Sequence, residues 1–196
     1  QEHGEISEIL GGSPYGFYVF NCQAPDAGNM EILIEVGTSQ QKKDYLTPLL
    51  EGKTRSCFAM TEPGYAGSNP TRMGTIAKKE NGNYIINGHK WFTSSFDGAD
   101  FAIVMVVTDP DEVNPYKRAS QIIVPTKTEG VEFVRNVSIM GHPGGGWESH
   151  AEIKFNNVIV PESNLLGSEG DGFAIAQKRL GPGRIHHCLL YTSDAA

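Results

Sequence analysis

The spacing of hydrophobic and polar positions changes near residue 55, and the two sides predict different secondary structure. Before that point, residues 28–37 form a short apolar run that ends at a glycine, which is typical of a helix. A second helical run places Leu46, Leu49 and Leu50 on one apolar face. Since two short helices cannot bury their own apolar faces, we expect them to dock on another part of the chain.

After residue 55 the apolar positions alternate over short runs that are separated by turn residues, which is typical of β-strands. Residues 80–83 read Glu-Asn-Gly-Asn, a strong hairpin signal. The predicted strands are Met73–Lys79, Asn83–Asn87, His89–Ser94, Phe101–Val107, Ser120–Pro125, Val131–Val137 and His150–Phe155. Consecutive short strands of this kind predict an antiparallel sandwich or barrel, and the lack of strand–helix alternation argues against a Rossmann fold.

Helical periodicity returns after Pro161, which should end the last strand. Residues 174–180 predict a helix, and the run Gly181-Pro182-Gly183 is expected to kink or interrupt it. Residues 189–196 leave the helical pattern and are expected to be a non-native tail. The predicted organisation is therefore an α+β chain with helices at 1–54, a β domain at 55–162 and the start of a helical domain at 163–196.

Composition narrows the possible partners. The net charge of −7 argues against nucleic acid as the main ligand, because a phosphate-binding surface usually needs a basic excess. No apolar run reaches the roughly 18 residues of a membrane span. Cys22, Cys57 and Cys188 are odd in number and widely spaced, which favours unpaired thiols in a reducing compartment. The adjacent His186 and His187 diverge on a helix, so no metal site is predicted.

Two segments carry the candidate chemistry: residues 57–68, CFAMTEPGYAGS, and residues 87–94, NGHKWFTS. A flat aromatic ligand with hydrogen-bonding edges needs an apolar wall and a few placed polar groups. The wall can come from Phe58, Met60, Trp91 and Phe92, and the hydroxyls from Thr61, Ser68 and Thr93. Gly67 lets backbone N–H groups approach a phosphate closely. The competing interpretation is a buried aromatic hairpin with an ordinary turn, and the paired motifs favour the ligand.

The two segments resemble the flavin-binding core of the acyl-CoA dehydrogenase family, where M-T-E-P…A-G-S and G-x-K-x-[WF]-[ITF]-[ST] flank the flavin ring. Residues 156–173 are similar to the family pattern that closes its β domain, F-x-x-V-x-V-P…N-x-L-G…G-x-G-F. Residues 179–188, RLGPGRIHHC, resemble the branch that acts on longer acyl-CoAs. The resemblance covers residues 16 to 188 and implies N-terminal helices, a central β domain and a C-terminal helical bundle.

The resemblance also implies site residues. FAD would be bound by Phe58, Ala59, Met60, Thr61, Gly67, Ser68, Trp91, Phe92 and Thr93, and the acyl-CoA by Ser68, Gly181, Pro182, Gly183 and Arg184. The turn after Glu62 is one residue longer than in most of the family, and Asn69 replaces the usual aspartate. Gly183 occupies the position of the catalytic glutamate of one subfamily. We therefore name no catalytic residue and expect the base to lie outside this chain, with Glu62 making a structural hydrogen bond.

The activity implied is FAD-dependent α,β-dehydrogenation of acyl-CoA, as in fatty acid β-oxidation, with electrons passed to an electron-transfer flavoprotein. Three alternatives stay open: an acyl-CoA oxidase, a flavin monooxygenase of the same fold, and a non-catalytic flavoprotein that binds nucleic acid. Intact members are expected to be homodimers or homotetramers. The expected location is cytoplasmic in a bacterium and mitochondrial or peroxisomal in a eukaryote, and not secreted. Without its base, this chain is expected to be inactive and to bind FAD poorly.

Overall fold

The computed structural model describes residues 2–13 and 15–192, which form helices around one curled β-sheet. The helices are α1 (Glu2–Gly11), α2 (Gly16–Val19), α3 (Asp26–Val36), α4 (Ser39–Gln41), a π-helical turn (Lys42–Leu46), α5 (Thr47–Leu50) and α6 (Gly172–Thr192). The strands are β1 (Ser56–Ala59), β2 (Ile76–Glu80), β3 (Asn83–Ser94), β4 (Phe101–Val107), β5 (Ala119–Pro125), β6 (Val131–Asn136), β7 (His150–Pro161) and β8 (Leu165–Leu166). The α+β fold class predicted from the sequence is confirmed.

The strand order is β6-β7-β3-β2-β4-β5-β8, with β1 paired to β4. Residues from both ends of this order, such as Phe155 of β7 and Ile122 of β5, share one buried cluster, so the sheet curls over its own core. The sheet is mixed and not purely antiparallel, because β4 runs parallel to β1 and to β2. The reason is the long connection between β1 and β4, which contains the β2–β3 hairpin and returns the chain to the same edge.

Two strands are longer than predicted. Residues 83–94 form one strand instead of two, and β7 continues to Pro161 instead of ending at Phe155. Gly88 and the Asn156-Asn157 pair resemble turn signals, but in the structure they lie at an irregularity in the β3–β7 register, where Asn157 has a φ of 52°. A β-bulge absorbs these residues without ending the strand. The strand at 101–107 has the predicted bounds.

Strand β4 is buried on both faces. Ala102, Val104 and Val106 point into the sheet's core, while Phe101 and Ile103 pack against the helices, including Leu49 of α5. The predicted docking of the N-terminal helices is therefore confirmed. The predicted apolar face is wrong at Leu50, which is 56% exposed. Leu50 follows Leu49 by one position, about 100° around a helix, and so points away from the sheet.

Helix α6 runs from Gly172 to Thr192 as one element, so the interruption expected at residues 181–183 does not occur. A proline removes one backbone donor, and the helix can continue on both sides of it. The pattern expected to end at residue 188 likewise continues to residue 192, while residues 193–196 lie outside the described residues. Cys22 and Cys57 are free thiols as predicted, and the Cys188 side chain lies outside the described residues. Across the described residues, no helix combines the length and apolar character that crossing a membrane requires.

Candidate functional site

A β-bulge in β3 determines which side chains of the second motif, residues 87–94, are buried and which are exposed. Lys90 pairs with Ile153 of β7, and Thr93 pairs with Ala151. Between these two pairs, Trp91 and Phe92 of β3 stand opposite the single residue Glu152 of β7, which makes a β-bulge. Phe92, inside the bulge, has a φ of 50°. Regular alternation would put Lys90 and Phe92 on the same face, but the bulge buries Lys90 and Thr93 and leaves Phe92 41% exposed. The motif therefore presents an aromatic surface outward from a segment in which Lys90 and Thr93 are buried.

The first motif is held against this strand. The backbone N–H of Trp91 donates to the carbonyl oxygen of Thr61 at 3.0 Å, and the Lys90 ammonium donates to the carbonyl oxygen of Met60 at 2.9 Å. A Cβ atom on Gly67 would lie 3.1 Å from the Thr61 methyl carbon, so the glycine turn folds closely onto Thr61. The two motifs, some 20 residues apart in the sequence, are in direct contact.

A buried ion pair links the same two segments. Lys90 Nζ lies 2.8 Å from Glu62 Oε1, and the Glu62 carboxylate also accepts from the backbone N–H groups of Gly74 at 2.6 Å and Thr75 at 2.9 Å. Burial acts to raise the pKa of Glu62, but Lys90 and the hydrogen bonds outweigh it and the pKa is below its usual value. Burial lowers the pKa of Lys90 to about 8, a shift that Glu62 opposes. The structural hydrogen bond predicted for Glu62 is therefore confirmed.

Phe58 and Phe92 form part of the wall of a large open cleft with a volume of about 930 Å³. Strand β1, the end of β3, the start of β7, the chain before α3 and helix α6 all contribute to it. The described lining residues are Ala24, Pro25, Phe58, Phe92, Ser94, Ser95, Ile139, His142, Pro143, Gly144, Trp147, Glu148, His150 and Arg179. A cleft of this size with aromatic walls and a few polar groups is typical of a site for a cofactor or a large small-molecule substrate.

The hydroxyl of Thr93 is buried beside this cleft wall. Thr93 is 1% exposed, and its Oγ1 has no hydrogen-bond partner among the described residues. An unpaired buried hydroxyl is costly, and the hydroxyls of Thr54 and Thr75 share this state. That of Thr93 is the one that lies between two cleft-lining residues, Phe92 and Ser94. Aromatic surface from Phe58 and Phe92 together with this hydroxyl fits a flat ring with polar edges, which is the chemistry of a flavin.

Arg179 of α6 closes one side of the cleft. Its guanidinium carbon lies 4.2 Å from the centroid of the Phe58 ring, and its Nε donates to Asn29 Oδ1 at 3.2 Å. Nη2 donates to the carbonyl oxygen of Pro25 at 3.3 Å. Burial lowers the pKa of Arg179 to about 10, an effect that Glu31 partly opposes. Arg179 therefore stays cationic at neutral pH and joins α6 to α3 and to the aromatic wall.

The structure places the other predicted residues at several positions. The side chain of Ala59 is fully buried in the sheet's core, which leaves only its backbone for a ligand. Gly67 and Ser68 lie on the exposed turn. Gly181 and Gly183 of α6 have open space where a Cβ would stand. The side chains of Pro182 and Arg184 lie outside the described residues.

Sequence reasoning missed several residues of the cleft. Ser94 Oγ and His150 Nδ1 lie 2.8 Å apart on paired strands, and both line the cleft with Trp147 and Arg179. The glycine-rich loop at 141–147 contributes His142, Pro143, Gly144 and Trp147 to the cleft wall. Arg179 lies in the segment 179–188 that resembles the family. Nothing in the sequence of that segment distinguished the role of Arg179 from that of Arg184. No sequence signal indicated His150.

Comparison with known proteins identifies the family. Residues 57–158 match the family model described as "Acyl-CoA dehydrogenase, middle domain". The chain is 46% identical over 192 residues to mouse "Acyl-CoA dehydrogenase family member 10". That alignment covers 96% of this chain and 18% of the mouse protein. It is 46% identical over 196 residues to "Probable acyl-CoA dehydrogenase FadE2" of Mycobacterium tuberculosis, in an alignment that covers 96% of this chain and 46% of the mycobacterial protein. The chain belongs to the acyl-CoA dehydrogenase family.

A solved structure agrees with this assignment. A Mycobacterium abscessus protein assigned to the acyl-CoA dehydrogenases superimposes with a TM-score of 0.84 at 41% identity, over 91% of this chain and 44% of that one. The chain thus spans less than half the length of each of these three relatives.

Proposed function

We propose that this chain forms the FAD-binding part of an enzyme that oxidises acyl-CoA thioesters to their α,β-unsaturated products. The observation that carries the proposal is the meeting of two separate motifs at one cleft. Phe58 comes from the first motif and Phe92 from the second, and the unpaired hydroxyl of Thr93 follows directly in the chain. The names of the three relatives reported above, each described as an acyl-CoA dehydrogenase, support the same reaction.

In this proposal each part of the chain has a distinct role. Phe58 and Phe92 provide the apolar wall, with the Trp91 ring packed against Phe92 at 4.8 Å between centroids, and the Thr93 hydroxyl donates to or accepts from the ring's polar edge. The exposed turn at Gly67 and Ser68 supplies backbone and hydroxyl groups for the pyrophosphate. FAD bound there would accept the β-hydrogen of the acyl group as a hydride. The chain's own residues orient the ring and exclude water from one face of it.

The base that removes the α-proton is proposed to come from helices outside this chain. Gly183 occupies the position at which one subfamily carries its glutamate, and a glycine has no group to accept a proton. Among the described residues that line the cleft, Glu148 is the one with a carboxylate. Changing Glu148 to Gln should therefore leave the reaction intact if the base lies elsewhere.

The finer points of the function are also proposals. Electrons are proposed to pass to an electron-transfer flavoprotein, and the complete enzyme is proposed to act on longer acyl chains as a homodimer or homotetramer. An oxidase or monooxygenase on the same fold differs in one measurable property, the rate at which air re-oxidises the reduced protein. A salt-dependent shift of DNA by the complete protein would instead favour a nucleic-acid-binding flavoprotein.

The test uses the open reading frame that contains this chain. The purified protein should carry flavin, and anaerobic titration with a long-chain acyl-CoA should bleach its visible absorbance, both in the natural sequence and in Glu148→Gln. Repetition with shorter chains defines the substrate range. Bound flavin that no acyl-CoA bleaches would refute the dehydrogenase activity, and loss of bleaching in Glu148→Gln alone would place the base within this chain.

A further inference from the structure

Two charged residues of the flavin motifs have no role in the proposed function. Glu62 and Lys90 do not line the large cleft, yet Lys90 is fully buried and Glu62 is 5% exposed. Burying charges is expensive, and replacing a buried ion pair by apolar residues is often neutral or stabilising. Stability of the fold is therefore a poor explanation for this pair.

The contacts of the pair suggest what it does. Lys90 Nζ donates to the carbonyl oxygen of Met60 at 2.9 Å and to the carboxylate of Glu62 at 2.8 Å. It therefore hydrogen-bonds to the residues on either side of Thr61. The carbonyl oxygen of Thr61 itself accepts from the N–H of Trp91 at 3.0 Å. Three consecutive residues of the first motif are thus connected to two consecutive residues of the second.

No strand ladder provides this connection in the described part of the chain. Strand β1 hydrogen-bonds to β4, and β3 hydrogen-bonds to β2 and β7. The segment after Ala59 leaves the sheet before it reaches Met60, so its position depends on the single backbone bond from Trp91 to Thr61 and on the bonds of the Lys90 and Glu62 side chains. Glu62 also fixes the far end of the glycine turn, because its carboxylate accepts from the N–H groups of Gly74 and Thr75.

The position of Lys90 in the bulge completes the argument. Lys90 is the last residue before the β3 bulge that turns Phe92 outward, and it is buried on the side that faces Met60. A lysine anchored at this point sets where the aromatic residues of the second motif stand relative to the backbone of the first. Placement within about 0.5 Å is what a preorganised binding site requires.

We propose that the buried Lys90–Glu62 pair is a positioning device that sets the distance between the two FAD-binding segments. Neither residue touches the ligand. The proposal rests on the proposed function, since it assumes that these segments bind FAD. It also explains why the two motifs occur together, since one supplies the carboxylate and the other the ammonium.

The test separates positioning from stability by removing both charges together. Glu62→Gln and Lys90→Met should each be strongly destabilised, because each leaves one buried charge without its partner. The double variant Glu62→Gln/Lys90→Met removes both charges with little change in volume and should recover most of the lost thermal stability. The exposed pair Lys79–Glu162, 2.8 Å apart on the surface, provides the matched control as Lys79→Met/Glu162→Gln.

The measurement is the FAD dissociation constant of the protein made from the complete reading frame, together with the visible circular dichroism of its bound flavin. We expect the stable double variant to bind FAD at least about tenfold more weakly with an altered flavin spectrum, while the surface control matches the natural sequence. Recovery of FAD affinity together with stability would refute the proposal. If the double variant does not fold, Lys90→Arg keeps the charge but displaces it, and unchanged FAD affinity in that variant would also refute the proposal. A natural-sequence protein that binds no FAD would refute the proposed function itself.

Discussion

At the scale of single residues, the second motif contains a buried hydroxyl without a partner, a state that the hydroxyls of Thr54 and Thr75 share elsewhere in the described residues. Thr93 is buried and its Oγ1 has no partner among the described residues. A buried hydroxyl without a hydrogen bond costs about 1–3 kcal/mol, so the free protein gives up stability at this position. Such a cost is expected where binding supplies the missing partner.

This argument predicts opposite effects of Thr93→Val on stability and on binding. Valine has the same shape without the hydroxyl, so the free energy of unfolding of the flavin-free protein should be unchanged or higher by up to about 2 kcal/mol. FAD affinity should fall about five- to tenfold, because one hydrogen bond is worth about 1–1.4 kcal/mol. Chemical unfolding and flavin titration measure the two quantities. Thr93→Ser keeps the hydroxyl and is the control; equal FAD affinity in the valine and natural proteins would contradict the prediction.

At the scale of elements, the helices before residue 55 depend on the sheet for their burial. Leu49 is fully buried against β4 and β5, whereas its neighbour Leu50 is 56% exposed. The sequence pattern predicted both leucines on one apolar face. Adjacent positions differ by about 100° around a helix, and local spacing alone does not show which of them faces the partner. Only contact with the sheet decides which leucine is buried.

Substituting alanine at these two neighbours tests the docking directly. Leu49→Ala should lower the free energy of unfolding by about 2–5 kcal/mol, since it removes buried methyl groups and leaves a cavity. Leu50→Ala should change it by no more than about 0.5 kcal/mol, as at other surface positions. Urea denaturation of both variants gives the comparison. Similar losses at the two positions would mean that the helices do not dock as described.

At the scale of the whole molecule, the cleft exists because distant parts of the chain converge on it. Helix α6 is more than a hundred residues away in the sequence from the region before α3 and from strand β1, and Arg179 joins it to both. Its partners are an amide oxygen, a backbone carbonyl and the Phe58 ring. Among the described ion pairs, no carboxylate contacts Arg179.

Arg179 and its neighbour Lys178 offer a matched test of this convergence. Arg179→Leu leaves Asn29 and Pro25 without their donor and should cost about 1–3 kcal/mol of unfolding free energy. Amide hydrogen exchange in α6 should also become faster. Lys178 makes an exposed ion pair with Glu35, and Lys178→Leu should cost less than about 1 kcal/mol. If both variants have the same exchange rates in α6, Arg179 does not join the helix to the cleft wall.

The sequence determined the helix–sheet–helix order, the bounds of strands such as Phe101–Val107, and the family, because each is written in local spacing or in contiguous motifs. It did not determine the bulges of β3 and β7, where Gly88 and Asn157 carry turn signals but their strands continue. It also missed Arg179 and His150 as neighbours in one cleft. Tertiary structure decided these features, because bulges depend on the register with a partner strand, and a cleft depends on which distant elements pack together.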